Sequence, residues 1–312
     1  MKDLSNFLSL AAVVIVFFYI IYNENRTKPA VAPESTPSLQ NLPPIPLEDY
    51  TNAVSLELPT ELSFAGERVP LEIQDVHERL DRELLINTYW HSSTIFLLKR
   101  ANKWLPQMEK ILAENGVPDD FKYLAAIEGG FQNLISPKEA VGFWQIREDA
   151  GKEFGLEIGK YVDERYDPIK STEAACKYFK KSYEKFGSWT NVAASYNRGR
   201  SGLAKAIENQ KVDSYYDLML NSETSRYVFR ILAIKLIFQN PEKYGFEISK
   251  DHLYQPTEFR YVEVNDDIKD LVQFAKDQGI NYKLLKLHNP WLREDKLKVK
   301  RGHSHQIAIP IN

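Results

Sequence analysis

The chain has one cysteine, Cys176, among 312 residues. A lone thiol excludes an intrachain disulfide and any metal site built on paired thiolates, so no metal is expected, and the redox compartment is left open. Excess charge of one sign is also missing. Lys plus Arg (40) nearly balances Asp plus Glu (43), for a net charge of -3. Such a balance gives no broad positive field for a phosphate backbone, and no nucleic-acid partner is expected. No fixed-period repeat runs through the sequence, which excludes a solenoid. What is present is apolar material: 43% of residues are hydrophobic, enough for one main domain and a smaller one.

The first part of the chain is of a different kind. Residues 7–22 (FLSLAAVVIVFFYIIY) carry no charge, and the run falls slightly short of the roughly 20 residues of a spanning helix. A tilted or locally thinned fit accommodates that length. No small-x-small site follows it, so the reading is an uncleaved membrane anchor over 1–26 rather than a removed signal peptide. Lys2 on one side and Arg26 and Lys28 on the other leave its orientation undecided by charge. Residues 27–60 read as a spacer, because Pro29, Pro33, Pro37, Pro43, Pro44 and Pro46 favour extended chain that buries no core.

From 61 to 250 the pattern is helical. Leu105, Met108, Ile111 and Leu112 recur at helical spacing and stop at Gly116. Asp167-Pro168 reads as a cap and first helical residue, Ser188 as a second cap, and Tyr227, Ile231, Ile234 and Leu236 as a last apolar stripe. Residues 256–312 read as a small βααβ module, with strands at 259–264 and 306–310 and helices at 268–278 and 282–287. The fold class is therefore mainly α, with a small mixed module at the carboxy end.

One residue breaks the pattern. Phe121, Leu124 and Glu128 share a helix face, so a carboxylate occupies an apolar line. Gly129 and Gly130 end the helix just after it, where burial and the negative end of the helix dipole both push a carboxyl pKa upward. A carboxylic acid kept protonated is what glycosidic cleavage needs, since the departing oxygen must receive a proton. On its own, the same residue reads first as a boundary Glu that reaches solvent or pairs with a Lys, and the surrounding residues reverse that order.

Residues 123–145 (YLAAIEGGFQNLISPKEAVGFWQ) resemble the lysozyme-like catalytic domain of the lytic transglycosylases, as do 97–120, 162–168 (VDERYDP), 193–199 (AASYNRG) and 223–233 (ETSRYVFRILA), in order and spacing. The resemblance covers residues 70–238 and implies a lysozyme-like α-helical fold that cleaves peptidoglycan glycan strands. It implies Glu128 as the sole catalytic carboxylate, and Ser136, Gly142, Gln145, Tyr196, Asn197 and Tyr227 around the sugar, with no cofactor. Trp144, Tyr196 and Tyr227 read equally as core residues. Asp163, Arg165 and Asp167 read as a cap and ion-pair cluster.

The chain also departs from the family, with Gly129 in place of the usual Ser, Glu139 and Ala140 in place of Gly-Ala, and 147–150 (REDA) in place of Met-Pro-x-Thr. The segment 256–312 resembles a degenerate LysM module, which implies binding of glycan, and it reads equally as a packing domain without ligand. Two rival functions stand beside the enzyme: a muramidase of the same fold that uses water, and a non-catalytic glycan-binding protein. No protein partner is legible.

Overall fold

The computed structural model describes residues 54–311. The expected anchor, and most of the expected spacer, lie outside the described residues. Among those described, no helix is long and apolar enough to cross a membrane. Leu56, Leu58 and Leu62 pack against the main core, so the folded part takes in the last residues of the Pro-rich stretch.

A short hairpin opens this part, β1 (Ser63–Phe64) with β2 (Glu67–Arg68), antiparallel. Two helices follow, α1 (Gln74–Tyr89) and α2 (His91–Glu114). On α2 the buried stripe is Leu97, Ala101, Met108, Ile111 and Leu112, three- and four-residue steps that keep one face on the core. The helix ends beside Gly116, whose φ of 68° only glycine adopts freely.

After a 3₁₀ turn at Asp119–Phe121 comes α3 (Lys122–Glu128), then α4 (Glu148–Glu153) and α5 (Pro168–Phe186). Asp167 caps α5, accepting from Ile169 N at 2.8 Å and Lys170 N at 3.1 Å. Two more helices, α6 (Trp189–Arg198) and α7 (Arg200–Gln210), precede α8 (Ser222–Gln239). Ser188 caps α6 as its sequence suggests. Glu67 of β2 adds to that cap from far away in sequence, accepting from Trp189 N at 2.6 Å and Thr190 N at 2.9 Å.

The centre of this domain is α8, which is buried along most of its length and packs on α1, α6 and α3. Its one buried cation, Lys235, is matched by Asp120 at 2.7 Å and by the Ser63 carbonyl at 2.7 Å. A buried charge without partners would cost several kcal/mol.

The carboxy-terminal module pairs β3 (Phe259–Val264) with β4 (His305–Pro310), antiparallel, in the register Phe259↔Pro310 to Val264↔His305. Between them lie α9 (Leu271–Asp277) and α10 (Tyr282–His288). The first of these helices starts later than its sequence suggests. Ile268 bridges Leu297 instead, and Asp270 caps α9 by accepting from Val272 N and Gln273 N.

The module does not hang free. Its core joins Leu271, Leu285, Leu292 and Ile307 to Val141, Val162 and Tyr166 of the helical domain. Backbone bonds reinforce this, with Asp163 N donating to Trp291 O and Arg293 N to Tyr161 O, both at 2.9 Å.

Candidate active site

The seven-residue α3 ends at Glu128; Gly129 caps it with right-handed backbone, and Gly130, at φ of 55°, turns the chain away. Glu128 is half-buried and opens into a cleft of about 570 Å³ that is also lined by Ser136, Gln145, Tyr196 and Asn197. Tyr227 of α8, 99 residues away, donates its hydroxyl proton to Glu128 Oε1 at 2.6 Å.

Burial pushes the Glu128 carboxyl above the usual range. The Tyr227 hydrogen bond and the Arg230 charge pull it down, and Glu223 pushes it further up; the net direction is upward. The contribution expected from the helix dipole meets opposition here: Arg230 Nη2 donates to Ile127 O at 3.1 Å and places a cation at the negative end of α3. Desolvation is the cause that carries the shift.

The opposite wall is the loop 133–146. Its turn is closed by mutual backbone bonds between Val141 and Ile146, and by Gly142 N to Leu134 O. Gly142 has φ of 83°, and a Cβ there would lie 2.1 Å from Arg165 O, so only glycine fits. Gln145 has φ of 48°, the left-handed region that a side chain enters at a cost of about 1–3 kcal/mol. Its Nε2 donates to Leu134 O at 3.1 Å and Gly142 O at 2.9 Å. The amide is thereby fixed and Oε1 remains available to the cleft.

Ser136 stabilises the same loop, accepting from Ala140 N at 3.0 Å. Trp144 is fully buried and donates Nε1–H to Thr172 Oγ1 at 2.9 Å, so of its two readings the core one holds.

The two tyrosines divide their work. Tyr227 holds Glu128, whereas Tyr196 donates to Trp144 O at 2.7 Å and therefore holds the wall rather than the acid. Asn197, in the last turn of α6, ties that helix to α8: Nδ2 donates to Glu223 Oε1 at 3.0 Å, and Oδ1 accepts from Thr224 Oγ1 at 2.7 Å. The cap and ion-pair reading of 163–167 also holds. Arg165 binds both oxygens of Asp163, and its Nη1 reaches Glu139 O and Ile146 O at 3.2 and 3.5 Å.

The Gly129 departure has a steric reason. Gly129 N donates to Phe143 O, and a Cβ at Gly129 would lie 2.6 Å from Gly142 O and 2.7 Å from Phe143 O. Real Cβ atoms do not approach backbone that closely, so the helix end and the wall touch here only because this residue has no side chain.

Other cleft residues were not singled out from sequence: Glu223, Lys138, Arg147, Arg198, Phe154 and Tyr178. Glu223, Arg198 and Lys138 lie inside stretches quoted above and Arg147 in the 147–150 departure, and position in a motif was the available signal. The rest carry none. Among the described residues, no group of three or more His, Cys, Asp or Glu side chains is placed to hold a metal ion.

Comparison with known proteins agrees with this architecture. Residues 108–219 match the transglycosylase SLT domain, and residues 260–312 match the soluble lytic transglycosylase C-terminal LysM-like domain. The chain is 27% identical over 218 residues to membrane-bound lytic murein transglycosylase D of Escherichia coli (strain K12), a match covering 64% of this chain and 47% of that protein. It is 30% identical over 114 residues to a putative tributyltin chloride resistance protein of Alteromonas sp. (strain M-1), covering 36% of this chain and 55% of that one. The chain spans about half the length of the curated relatives it matches. A lysozyme-like SLT domain with a LysM-like domain behind it, homologous to membrane-bound lytic murein transglycosylase D, is what this chain carries.

Proposed function

We propose that this protein is a peptidoglycan lytic transglycosylase, with Glu128 as its general acid and then its base. The observation that carries the reading is the state of that carboxyl: half-buried at the cleft, pushed upward in pKa, and held by the Tyr227 hydroxyl.

A protonated Glu128 gives its proton to the oxygen linking N-acetylmuramic acid to N-acetylglucosamine, and the C1–O bond breaks as positive charge grows at C1. The resulting carboxylate is stabilised by Tyr227 and Arg230. It then takes the proton of the muramoyl C6 hydroxyl as that oxygen bonds to C1, closing a 1,6-anhydro ring. The carboxyl returns to its protonated state, and no water is consumed. Ser136, Gln145, Tyr196 and Asn197 hold the sugar or the walls around it, and Gly142 lets the Gln145 turn close.

One observation favours the water-using muramidase instead. A second carboxylate, Glu223, lines the same cleft, and two carboxylates are the usual equipment of glycosidases. Glu223 is exposed and already accepts from Asn197, and its charge acts to raise the pKa of Glu128.

The product separates the two. Digestion of purified sacculi, followed by borohydride and mass spectrometry, is expected to give unreduced anhydro ends lighter by about 18 Da, one water, than hydrolysed ones. Predominantly reducible ends would assign the protein to the hydrolases.

We further propose that residues 1–26 anchor the chain in the cytoplasmic membrane and that 27–60 space the catalytic part into the cell-wall compartment. The membrane-bound character in the name of the E. coli relative supports this. Full-length protein in the membrane fraction, cut by protease added to spheroplasts, is the expected result; a soluble form starting near residue 24 would overturn it.

A further inference from the structure

The cleft is lined well beyond Glu128. Beyond Glu128 it runs between α4 and α5, and its lining there changes character. Ala150 of α4 and the residues that flank this helix at either end, Arg147 and Phe154, line it there, with Ala174 from α5. Beside Phe154 stands Arg200, whose guanidinium lies 5.5 Å from the ring and is paired to Glu153 at 2.6 Å. The branch is thus apolar on its floor, with cations around it.

Those cations differ from their neighbours. Around the cleft, Arg165 is paired to Asp163, Lys170 to Glu164 and Lys152 to Glu148. Lys138, Arg147 and Arg198 line the cleft, and none of them has a carboxylate within ion-pair distance among the described residues. Arg198 is the most telling of the three. It is half-buried, its Nε is held by Gly202 O at 3.2 Å, and its terminal nitrogens make no hydrogen bond within the described residues. A guanidinium fixed at Nε with its planar fork unused is prepared for a carboxylate. In a protein with net charge -3, three unpaired cations in one cleft are not a consequence of composition.

We propose that this branch binds the acidic peptide stem borne on the lactyl group of the muramoyl residue. The lactyl and first alanyl methyls lie against Ala150, Ala174 and Phe154, and the stem carboxylates lie against Lys138, Arg147 and Arg198. This inference rests on the transglycosylase reading above and adds a substrate preference to it: strands with free stem carboxylates are cleaved in preference to strands whose stems are neutral. None of the three is a hydrogen-bond or charge partner of Glu128, so they select the substrate without taking part in proton transfer.

The test uses the whole protein and three preparations of one glycan: stems with free carboxylates, stems amidated at those carboxylates, and stems removed enzymatically. For the wild type, kcat/KM is expected to be about tenfold higher with free carboxylates than with amidated stems, the size of one charge-assisted contact. That ratio is expected to fall toward one in Arg198→Gln and in Arg147→Gln, mainly through KM. A wild-type ratio near one, or a ratio unchanged in both variants, overturns the proposal. The wild-type arm decides even where a variant fails to fold. If none of the three glycans is cleaved, stem-free strands included, the enzymatic reading itself has failed, and that outcome is distinct from loss of preference alone.

Discussion

The two sides of the cleft are held by different means. Glu128 ends a helix packed on the main core, and its partners Tyr227 and Arg230 come from the central helix α8. Across from it, the loop 133–146 has no regular structure beyond isolated bridges. It is fixed instead by where alternate residues go. Phe143 and Trp144 enter the main core, while Val141 enters the second core with the carboxy-terminal module. Arg165 ties the loop carbonyls at Glu139 and Ile146 to Asp163, whose backbone is in turn bonded to Trp291. Glu128 is thus positioned within the SLT domain, and the wall depends on a segment more than a hundred residues further along. The carboxy-terminal module is thus part of the cleft's support.

The largest effect should come from the acid side alone. Glu128→Gln keeps size and the acceptor for Tyr227 but has no proton to give, and a loss of about 10²- to 10⁴-fold in kcat is expected, with the circular dichroism spectrum unchanged. Retention of more than a few per cent of the activity would remove Glu128 from its role. Next comes the point where the two sides touch. Gly129→Ser restores the residue usual in the family, yet its Cβ meets backbone at 2.6–2.8 Å, so the wall must move. A stability loss of about 1–3 kcal/mol is expected, together with a fall in kcat. A fully active and equally stable variant would mean that helix end and wall are not in the contact described here.

The wall side is tested by Arg165→Met, which leaves Asp163 buried without its cation. Breaking a buried pair costs about 3–5 kcal/mol, but the catalytic consequence is expected to be smaller than for Glu128, because proton transfer is untouched: KM rises and the alkaline limb of the pH profile stays where it is. An altered limb with unaltered KM would show that the wall acts on the acid directly.

Much of the acid side was legible because its signals are local. The carboxylate on an apolar line, the glycine pair after it, and the caps at Asp167 and Ser188 all lie within a few residues of what they control. The wall was legible only as a resemblance. Nothing near Val141 announces that it packs with Leu285 and Ile307, and nothing near Tyr196 that its hydroxyl serves Trp144 rather than Glu128. Glu67 capping α6 and Arg230 capping α3 are contacts between segments about a hundred residues apart; periodicity and spacing carry no record of them. The late start of α9 is a different failure, since Asp270 was a local cap signal that the apolar pattern from Ile268 obscured.

The smallest and most specific effect concerns the pH at which the acid works. Burial raises the Glu128 carboxyl, and the Tyr227 hydroxyl opposes that rise by donating to the ionised form. The proposed mechanism requires protonated Glu128, so activity is expected to be lost as pH rises through the folded-state pKa. Stability follows the same group. Because the folded protein holds the proton more tightly than the unfolded chain, stability from this site is fully present below the ordinary carboxyl range and falls as pH rises toward the folded-state value. Tyr227→Phe removes a donor from the carboxylate and leaves the acid form almost untouched, so the pKa moves further up and the alkaline limb of kcat shifts to higher pH, while maximal activity falls by about tenfold or less, the scale of one hydrogen bond. Glu128→Gln should abolish the slope of stability with pH contributed by this site, leaving a protein that gains on the wild type as pH rises through that interval. Measuring the limb in Tyr227→Phe and the melting curves of both variants across pH separates the two contributions. A limb that moves to lower pH would show that Tyr227 stabilises the protonated acid, and the assignment of its hydrogen bond to the carboxylate would have to be reversed.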